Sequence, residues 1–241
     1  MTKDAGVPIH ETETLEAGGR LIHLGGARPM TLRLETLEAF SCALDAWEKE
    51  RGLRWIAFQS AHPTTFLAGA DFSELAALDA PSAAGFSRRG QALFERMRRS
   101  RLWLVALVEG ACMGGGLDFI LSCDYRIAGK KARFAHPGPK LGFLTGWGGT
   151  AVIPRLGGAG AAALLEARTF RAEEARKAGW IDEVSAAPLR RAKALARRSK
   201  SVDLTLAKEM LRLHGLSSGP AMTFAARLAQ LHDAVREEET S

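Results

Sequence analysis

The chain has 241 residues, of which 46% are hydrophobic, and a formal net charge of +6 at pH 7. This length suits one large domain or two modest ones with a sizeable core, and no apolar run is long enough to predict a membrane span. The Lys and Arg residues are scattered along predicted helices and are not interleaved with aromatic side chains. We therefore expect no nucleic-acid partner and no membrane partner.

The N-terminal stretch MTKDAGVPIHETET is polar and acidic, unlike a signal peptide, so a cytoplasmic protein is expected. Three widely spaced cysteines, Cys42, Cys112 and Cys123, include no CxxC pair. They are expected to be reduced and mostly buried thiols. No His, Cys, Asp or Glu cluster has the spacing of metal ligands, so we expect no metal and no separate cofactor.

Short apolar segments alternate with amphipathic helical patterns in the first half of the chain. The pattern predicts strands at 20–25, 54–60, 102–110 and 123–129, and helices at 32–50 and 83–100. Strand, helix, strand is the order of a buried parallel sheet in an α/β fold.

From residue 147 the pattern is nearly all helical, with a helical C-terminal part expected to begin near residues 185–200. The last predicted helix has one apolar stripe, formed by Phe224, Leu228, Leu231 and Val235. Such a stripe needs a partner surface, which is either its own domain or another subunit.

The stretch CMGGGLDFILSCD (112–124) places three glycines before a short predicted helix. Three interpretations compete: a nucleotide phosphate loop, a tight turn that only glycine tolerates, and an anion site at a helix N-terminus. The spacing fits neither GxxxxGK[ST] nor GxGxxG. The triplet alone does not choose between the turn and the anion site.

A second turn of small residues, FLAGADFSEL (66–75), also follows a predicted strand and precedes a helical pattern. Both turns lie at the carboxyl ends of strands, where open α/β sheets bind ligands. Each turn can aim one backbone N–H at a common oxygen, which would form an oxyanion hole for a carbonyl that gains negative charge. Asp71 and Glu74 are expected to cap the helix that follows.

Four ordered motifs resemble the enoyl-CoA hydratase/isomerase (crotonase) superfamily. They are FLAGADFSEL, VEGACMGGGLDFILSCDYRIAGKKARFAHPGPKLG, GWGGTAVIPRLGG and TFRAEEARKAGWIDEV. The resemblance implies an α/β fold with a spiral of ββα units, over residues 1–190, and a helical C-terminal region, 191–241, used in trimerisation. It also implies acyl-CoA thioester substrates, with coenzyme A as part of the substrate, and a homotrimer or a dimer of trimers.

The resemblance assigns backbone roles to residues of the two turns. The N–H groups of Ala70 and Gly115 match those that hold the thioester oxygen, and Ala68 matches a position at the nucleotide end of coenzyme A. Gly69, Asp71 and Gly114, which adjoin these residues, are expected to border the substrate.

Two further stretches contain the candidate side chains. Asp118 matches one of the two glutamates of hydratases and is the candidate acid/base, although an acid in a first helical turn also suits the helix dipole. The other glutamate is replaced by Gly138, and His136 is a candidate for its role or a structural residue. Trp147 is expected to be a wall of the acyl site or an ordinary core residue.

We therefore predict an acyl-CoA thioester-processing enzyme that stabilises a thioester enolate, with Asp118 as acid/base. Addition of water to an enoyl thioester is shared by two carboxylates, so Gly138 argues against strong hydratase activity. A decarboxylase or an isomerase, which needs one proton-transfer group, fits better, although LTGWGG (144–149) lacks the acid that many isomerases have there. The alternative is a non-catalytic acyl-CoA-binding subunit.

Overall fold

The structure is a computed structural model that describes residues 9–150, 158–198 and 208. The helices are α1 (Leu34–Lys49), α2 (Phe72–Ala76), α3 (Ala80–Arg99), α4 (Gly115–Leu121), α5 (Gly158–Leu165), α6 (Ala172–Lys177) and α7 (Pro188–Arg198), with a 3-10 turn at Gly138–Leu141. The strands are β1 (Ile9–Leu15), β2 (Gly19–Leu24), β3 (Thr31–Leu32), β4 (Trp55–Ser60), β5 (Thr65–Leu67), β6 (Gly69–Ala70), β7 (Trp103–Val108), β8 (Ala111–Met113), β9 (Tyr125–Gly129), β10 (Arg133–Ala135), β11 (Phe170–Arg171) and β12 (Glu183–Ser185).

The larger sheet has six strands in the order β1-β2-β4-β7-β9-β12. All its neighbours are parallel except β1 and β2, which form an antiparallel pair. The four strands predicted from the sequence are β2, β4, β7 and β9, and they are consecutive neighbours. Every residue of β7 is buried, as expected for a parallel strand with both faces covered.

A second sheet has four strands in the order β11-β10-β8-β5, and β5, β8 and β10 are parallel. The chain passes from the larger sheet to this one three times, in the strand pairs β4–β5, β7–β8 and β9–β10. Each pass lies one position further along both sheets, and a helix or a 3-10 turn comes before the next pass. This repetition is the spiral of ββα units that the family resemblance implied within an α/β fold.

Aromatic packing fixes the position of α4, whose first turn contains the candidate acid. Phe119 is fully buried, and its ring lies 5.2 Å from the rings of Phe40 and Phe58, 6.2 Å from that of Phe94 and 6.4 Å from that of Phe66. Because these rings come from α1, β4, β5 and α3, the short helix is held from several sides.

Several elements differ from the sequence prediction. The strands of two or three residues are too short to show an alternating pattern, and β1 is a polar edge strand, IHETETL, that pairs on one side only. The two strands β11 and β12 interrupt the stretch that was predicted to be helical. The helix α7 begins at Pro188, within the range 185–200 where the helical C-terminal part was expected to begin, and the domain boundary at residue 190 stays a prediction. The apolar stripe from Phe224 to Val235 lies outside the described residues.

The cysteines are free thiols, as predicted: Cys112 and Cys123 are buried and Cys42 is exposed. Burial raises the pKa of the Cys112 thiol well above its ordinary value. Among the helices in the described ranges, none combines the length and the hydropathy that a membrane span requires.

Candidate active site

The two glycine-containing turns lie directly against each other. Gly69 has φ +96°, and a Cβ atom there would stand 2.7 Å from the carbonyl oxygen of Met113 and 3.2 Å from the nitrogen of Gly115. The nitrogen of Ala70 lies 3.5 Å from the point that a Cβ of Gly115 would occupy. Glycine alone permits this approach, and it brings the N–H groups of Ala70 and Gly115 side by side.

The N–H of Gly115 is available to a ligand because of its place in the helix. Gly115 is the first residue of α4, and Gly114 before it has φ +52° and no side chain to cap the helix. The first N–H groups of an α-helix have no acceptor within the helix. They also lie at the positive end of the helix dipole, which favours an oxygen with negative charge.

Asp118 is held in place by two donors from the turn at 145–149. The hydroxyl of Thr145 lies 2.7 Å from both carboxylate oxygens, and the N–H of Gly149 donates to Oδ1 at 2.6 Å. Thr145 Oγ1 in turn accepts a hydrogen bond from the N–H of Trp147 at 3.2 Å. The Asp118 side chain is only 1% exposed.

His136 is the other titratable side chain at this carboxylate. Its Nε2 lies 3.6 Å from Asp118 Oδ2, which is too long for a hydrogen bond and close enough for an ion pair. Its Nδ1 is buried and has no hydrogen-bond partner among the described residues.

Gly138 lies against the same imidazole ring. A Cβ atom on Gly138 would stand 3.1 Å from His136 Nδ1 and 2.7 Å from the carbonyl oxygen of Phe143. Distances this short require the neighbours to move, so residue 138 has no room for a side chain beside this histidine.

The indole ring of Trp147 packs between α3 and α4. A Cβ atom on Gly90 would stand 2.1 Å from the indole ring, and one on Gly115 would stand 2.3 Å from it. The ring packs 4.9 Å from Phe86 and 5.8 Å from Phe94, and its Nε1 donates to the carbonyl oxygen of Phe86 at 3.3 Å. Trp147 is therefore a core residue that also lines the cavity, and its place in the wall of an acyl site stays a prediction.

Nine of the ten predicted site residues line one cavity of about 360 Å³, a volume typical of small-molecule sites. These nine are Ala68, Gly69, Ala70, Gly114, Gly115, Asp118, His136, Gly138 and Trp147. Its remaining lining is mostly apolar, and its rim is formed by Phe72, Leu141, Phe143 and Leu144. These four are among the five exposed large hydrophobic side chains of the described residues.

Asp71 is the predicted residue that the structure leaves outside the cavity lining. Its Oδ1 accepts hydrogen bonds from the N–H groups of Ser73 and Glu74, each at 3.1 Å, so it is the N-cap of α2. The capping interpretation of Asp71 is confirmed, while the substrate-binding one has no contact to support it.

Sequence reasoning missed Thr145 and Gly149, the two donors to Asp118. They lie 27 and 31 residues further along the chain, and nothing in LTGWGG marks its threonine as a partner of an acid. The exposed apolar rim was missed as well, although LGFL (141–144) combines three large apolar residues with glycine in a loop, which is an available signal.

Within the described ranges, no three His, Cys, Asp or Glu side chains lie close enough together to hold a metal ion. The titratable side chains in the cavity lining are Asp118 and His136.

Comparison with known proteins gives the family. The sequence profile described as enoyl-CoA hydratase/isomerase matches residues 23–213. The chain belongs to this family. A relative, the fatty acid oxidation complex subunit alpha of Idiomarina loihiensis, is 33% identical over 168 residues, which are 68% of this chain and 24% of that protein. The chain thus spans about a quarter of the length of this relative.

Solved structures of the family share the fold. An enoyl-CoA hydratase from Thermoplasma volcanium superposes with a TM-score of 0.80 at 26% identity, over 98% of this chain and 94% of that one. An enoyl-CoA hydratase from Bacillus anthracis superposes with a TM-score of 0.80 at 24% identity, over 97% of this chain and 92% of that one. The family and the predicted ββα fold are therefore confirmed.

Proposed function

We propose that this protein binds an acyl-CoA thioester and stabilises its enolate with the N–H groups of Ala70 and Gly115. The observation that supports the proposal is the contact between the two turns, which places two backbone donors together in a mostly apolar cavity. A thioester enolate has its negative charge on the carbonyl oxygen. Two fixed donors stabilise that charge, and in other enzymes the loss of one such donor costs about 2.7–4 kcal/mol.

The apolar rim supports an acyl substrate. Phe72 is 63% exposed, and Leu141, Phe143 and Leu144 are 43–48% exposed. Exposed apolar side chains gathered at a cavity mark a binding surface, and here they offer contacts to the hydrocarbon parts of an acyl thioester. Two of the relatives are enoyl-CoA hydratases and one is a fatty acid oxidation subunit, so the proposed substrate class is a fatty acyl thioester of coenzyme A.

The proposed reaction moves one proton at the α-carbon, with Asp118 and His136 as the acid/base pair. Gly138 supplies no second carboxylate, and its surroundings leave no room for one. Addition of water needs groups that activate the water and protonate the carbon. Isomerisation or decarboxylation through an enolate makes smaller demands, and we propose a reaction of that kind.

A matched pair of ligands tests the oxyanion hole. Butyryl-CoA has the thioester carbonyl, and the thioether S-butyl-CoA lacks it. Isothermal titration calorimetry is expected to show tighter binding of the thioester, by about tenfold or more, because two hydrogen bonds are lost with the oxygen. Equal affinities for the two ligands would contradict the assignment.

A backbone substitution tests the donor itself. Replacement of Ala70 by lactic acid exchanges the amide N–H for an ester oxygen and leaves the side chain unchanged. The preference for the thioester is expected to fall, because the N–H of Gly115 is the donor that remains. The matched control is the same exchange at Ala111, whose N–H donates to the carbonyl of Thr64 at 2.9 Å in the second sheet; it costs stability and leaves the preference intact. Ala at position 115 is a poorer test, since its Cβ would overlap Trp147.

Turnover of crotonyl-CoA, a 3-enoyl-CoA and malonyl-CoA distinguishes the reaction types. Isomerisation of the 3-enoyl thioester or loss of CO2 from the malonyl thioester is expected to exceed hydration of crotonyl-CoA. Binding without turnover of any thioester would support the non-catalytic acyl-CoA-binding subunit instead. The proposed homotrimer, or dimer of trimers, is measured by size-exclusion chromatography with light scattering.

A further inference from the structure

We propose that His136 is the residue that exchanges a proton with the α-carbon, and that Asp118 is a positioning residue fixed by Thr145 and Gly149. The inference deepens the proposed function and rests on it. It changes the role that the sequence assigned to Asp118, because the tertiary contacts of this carboxylate differ from those of a free acid.

The carboxylate of Asp118 already accepts hydrogen bonds from two donors of the 145–149 turn. Oδ1 accepts a hydrogen bond from the Gly149 N–H at 2.6 Å, and the Thr145 hydroxyl donates to the same carboxylate at 2.7 Å. The backbone of Gly149 thus lies directly against Oδ1. The other oxygen, Oδ2, also lies 2.7 Å from the Thr145 hydroxyl, and it is the oxygen near His136 Nε2.

Hydrogen bonding and reach favour the histidine as the group that meets the substrate. Both side chains line the cavity, but the carboxylate is the one held by donors of the 145–149 turn. Aspartate is also shorter than glutamate by one C–C bond, about 1.5 Å. We therefore assign the contact with the α-carbon to the imidazole.

The lack of a side chain at Gly138 leaves space for the imidazole ring of His136. A Cβ on residue 138 would stand 3.1 Å from Nδ1 and 3.2 Å from Cε1 of His136, so the ring borders the space where a side chain would begin. The same Cβ would stand 2.7 Å from the carbonyl oxygen of Phe143. Glycine at residue 138 thus fits the observed position of His136.

The proposed step is a proton transfer at Nε2. Neutral His136, with its proton on Nδ1, takes the α-proton; the C–H bond breaks, its electron pair forms the enolate, and the charge moves to the thioester oxygen at the N–H groups of Ala70 and Gly115. The imidazolium then lies 3.6 Å from the carboxylate of Asp118, so the two opposite charges attract each other. In the reverse direction the N–H bond breaks, a C–H bond forms and the imidazole is neutral again.

Exchange of the α-hydrogens of butyryl-CoA in D2O, followed by proton NMR, tests the assignment. The wild-type protein is expected to exchange them, and His136→Gln is expected to slow exchange by about 10²–10⁴-fold, the usual contribution of a general acid/base. His23→Gln, at a half-buried histidine outside the cavity lining, is the matched control. Thermal melts establish that each variant is folded.

The positioning role is tested at Thr145. Thr145→Val removes the hydroxyl and is expected to lower the exchange rate at saturation about tenfold while KM stays the same. Thr145→Ser restores the hydroxyl and is expected to recover most of the rate, which a purely structural defect would not predict. Thr36→Val, at a buried threonine of α1, is the control for the substitution.

Different outcomes separate this inference from the proposed function. If His136→Gln exchanges at the wild-type rate while Asp118→Asn does not exchange, Asp118 is the proton-transfer group and the inference is wrong, although the enolate chemistry stands. If the wild-type protein binds butyryl-CoA and neither exchanges its α-hydrogens nor turns over any thioester, the proposed enolate chemistry fails and the inference fails with it.

Discussion

Trp147 fits beside the contact between the two glycine-containing turns because each helix that it touches has glycine at the contact. The indole ring fills the space over Gly90 of α3 and Gly115 of α4, with no room for a methyl group on either. Protein interiors are packed densely enough that one methylene is felt. The two glycines are therefore required by the tryptophan as well as by the backbone turn.

Gly90→Ala is expected to destabilise the protein by about 1–3 kcal/mol, the usual cost of overpacking a core. The new Cβ would stand 2.1 Å from an aromatic ring that has Phe86 and Phe94 behind it. Gly85→Ala on the same helix is the matched control. Nothing lies within 4 Å of its Cβ, so it is expected to stabilise α3 by about 0.5–1 kcal/mol. Urea unfolding measures the stability of both variants. Equal effects of the two substitutions would contradict the close packing of Trp147 against Gly90.

At the scale of elements, α2 depends on its first residues because it has only five and none of its side chains is buried. Asp71 closes the N-terminus through the N–H groups of Ser73 and Glu74, and it also contacts Thr31 and Arg33. Hydrogen bonds from the Ser73 side chain and the Glu74 N–H lower the pKa of Asp71 below its ordinary value of 3.8. The cap thus holds α2, and with it Phe72 of the cavity rim, in place.

Asp71→Ala is expected to cost about 0.5–2 kcal/mol of stability at neutral pH. Because the pKa of Asp71 is lower in the folded than in the unfolded protein, its stabilising effect is present well above pH 3.8 and is lost as the pH falls through the folded pKa. The difference between wild type and variant is therefore expected to shrink in acid, and urea unfolding at several pH values measures it. Asp71→Asn, which keeps a capping oxygen, should recover part of the loss at neutral pH; no recovery would point to the ion pair with Arg33 instead.

Contacts that join distant parts of the molecule include those of Lys208 with residues just before β7 and β9 of the larger sheet. Its buried Nζ donates to the carbonyls of Met97 at 3.3 Å and Leu102 at 3.1 Å and to Asp124 Oδ2 at 2.9 Å. The same Oδ2 accepts a hydrogen bond from the N–H of Leu104 at 2.9 Å. Burial raises the pKa of Asp124, and the positive charge of Lys208 opposes that effect.

Lys208→Met is expected to destabilise the protein by about 3–5 kcal/mol, since it leaves a buried carboxylate without its counter-charge. The pKa of Asp124 in the folded protein is already raised and would rise further without Lys208. The variant is therefore expected to be least destabilised in mild acid, where Asp124 is protonated, and to lose stability as the pH rises through the folded pKa. Thermal and urea unfolding check this, with Lys177→Met at an exposed lysine as control. A pH-independent loss would contradict the pairing.

Local sequence patterns were enough to predict the longer strands and helices. Long apolar strands and amphipathic helices have a periodicity that is visible without neighbours, so β2, β4, β7, β9, α1 and α3 were predictable. Glycine-rich turns after strands were equally visible, because few residues tolerate a positive φ or a close backbone approach. The resemblance of these turns to the family then assigned Ala70, Gly115 and Asp118 to one site, and all three line the same cavity.

Only the tertiary structure decided which atoms meet there. The strands of two or three residues form because a neighbouring strand supplies their hydrogen bonds, and no local pattern marks them. The contacts of Thr145, Gly149 and Gly138 with Asp118 and His136 join turns that are distant along the chain. Side-chain identity determines which chemistry a residue is capable of, whereas packing between distant segments determines the distance of a few ångströms between the carboxylate and the imidazole.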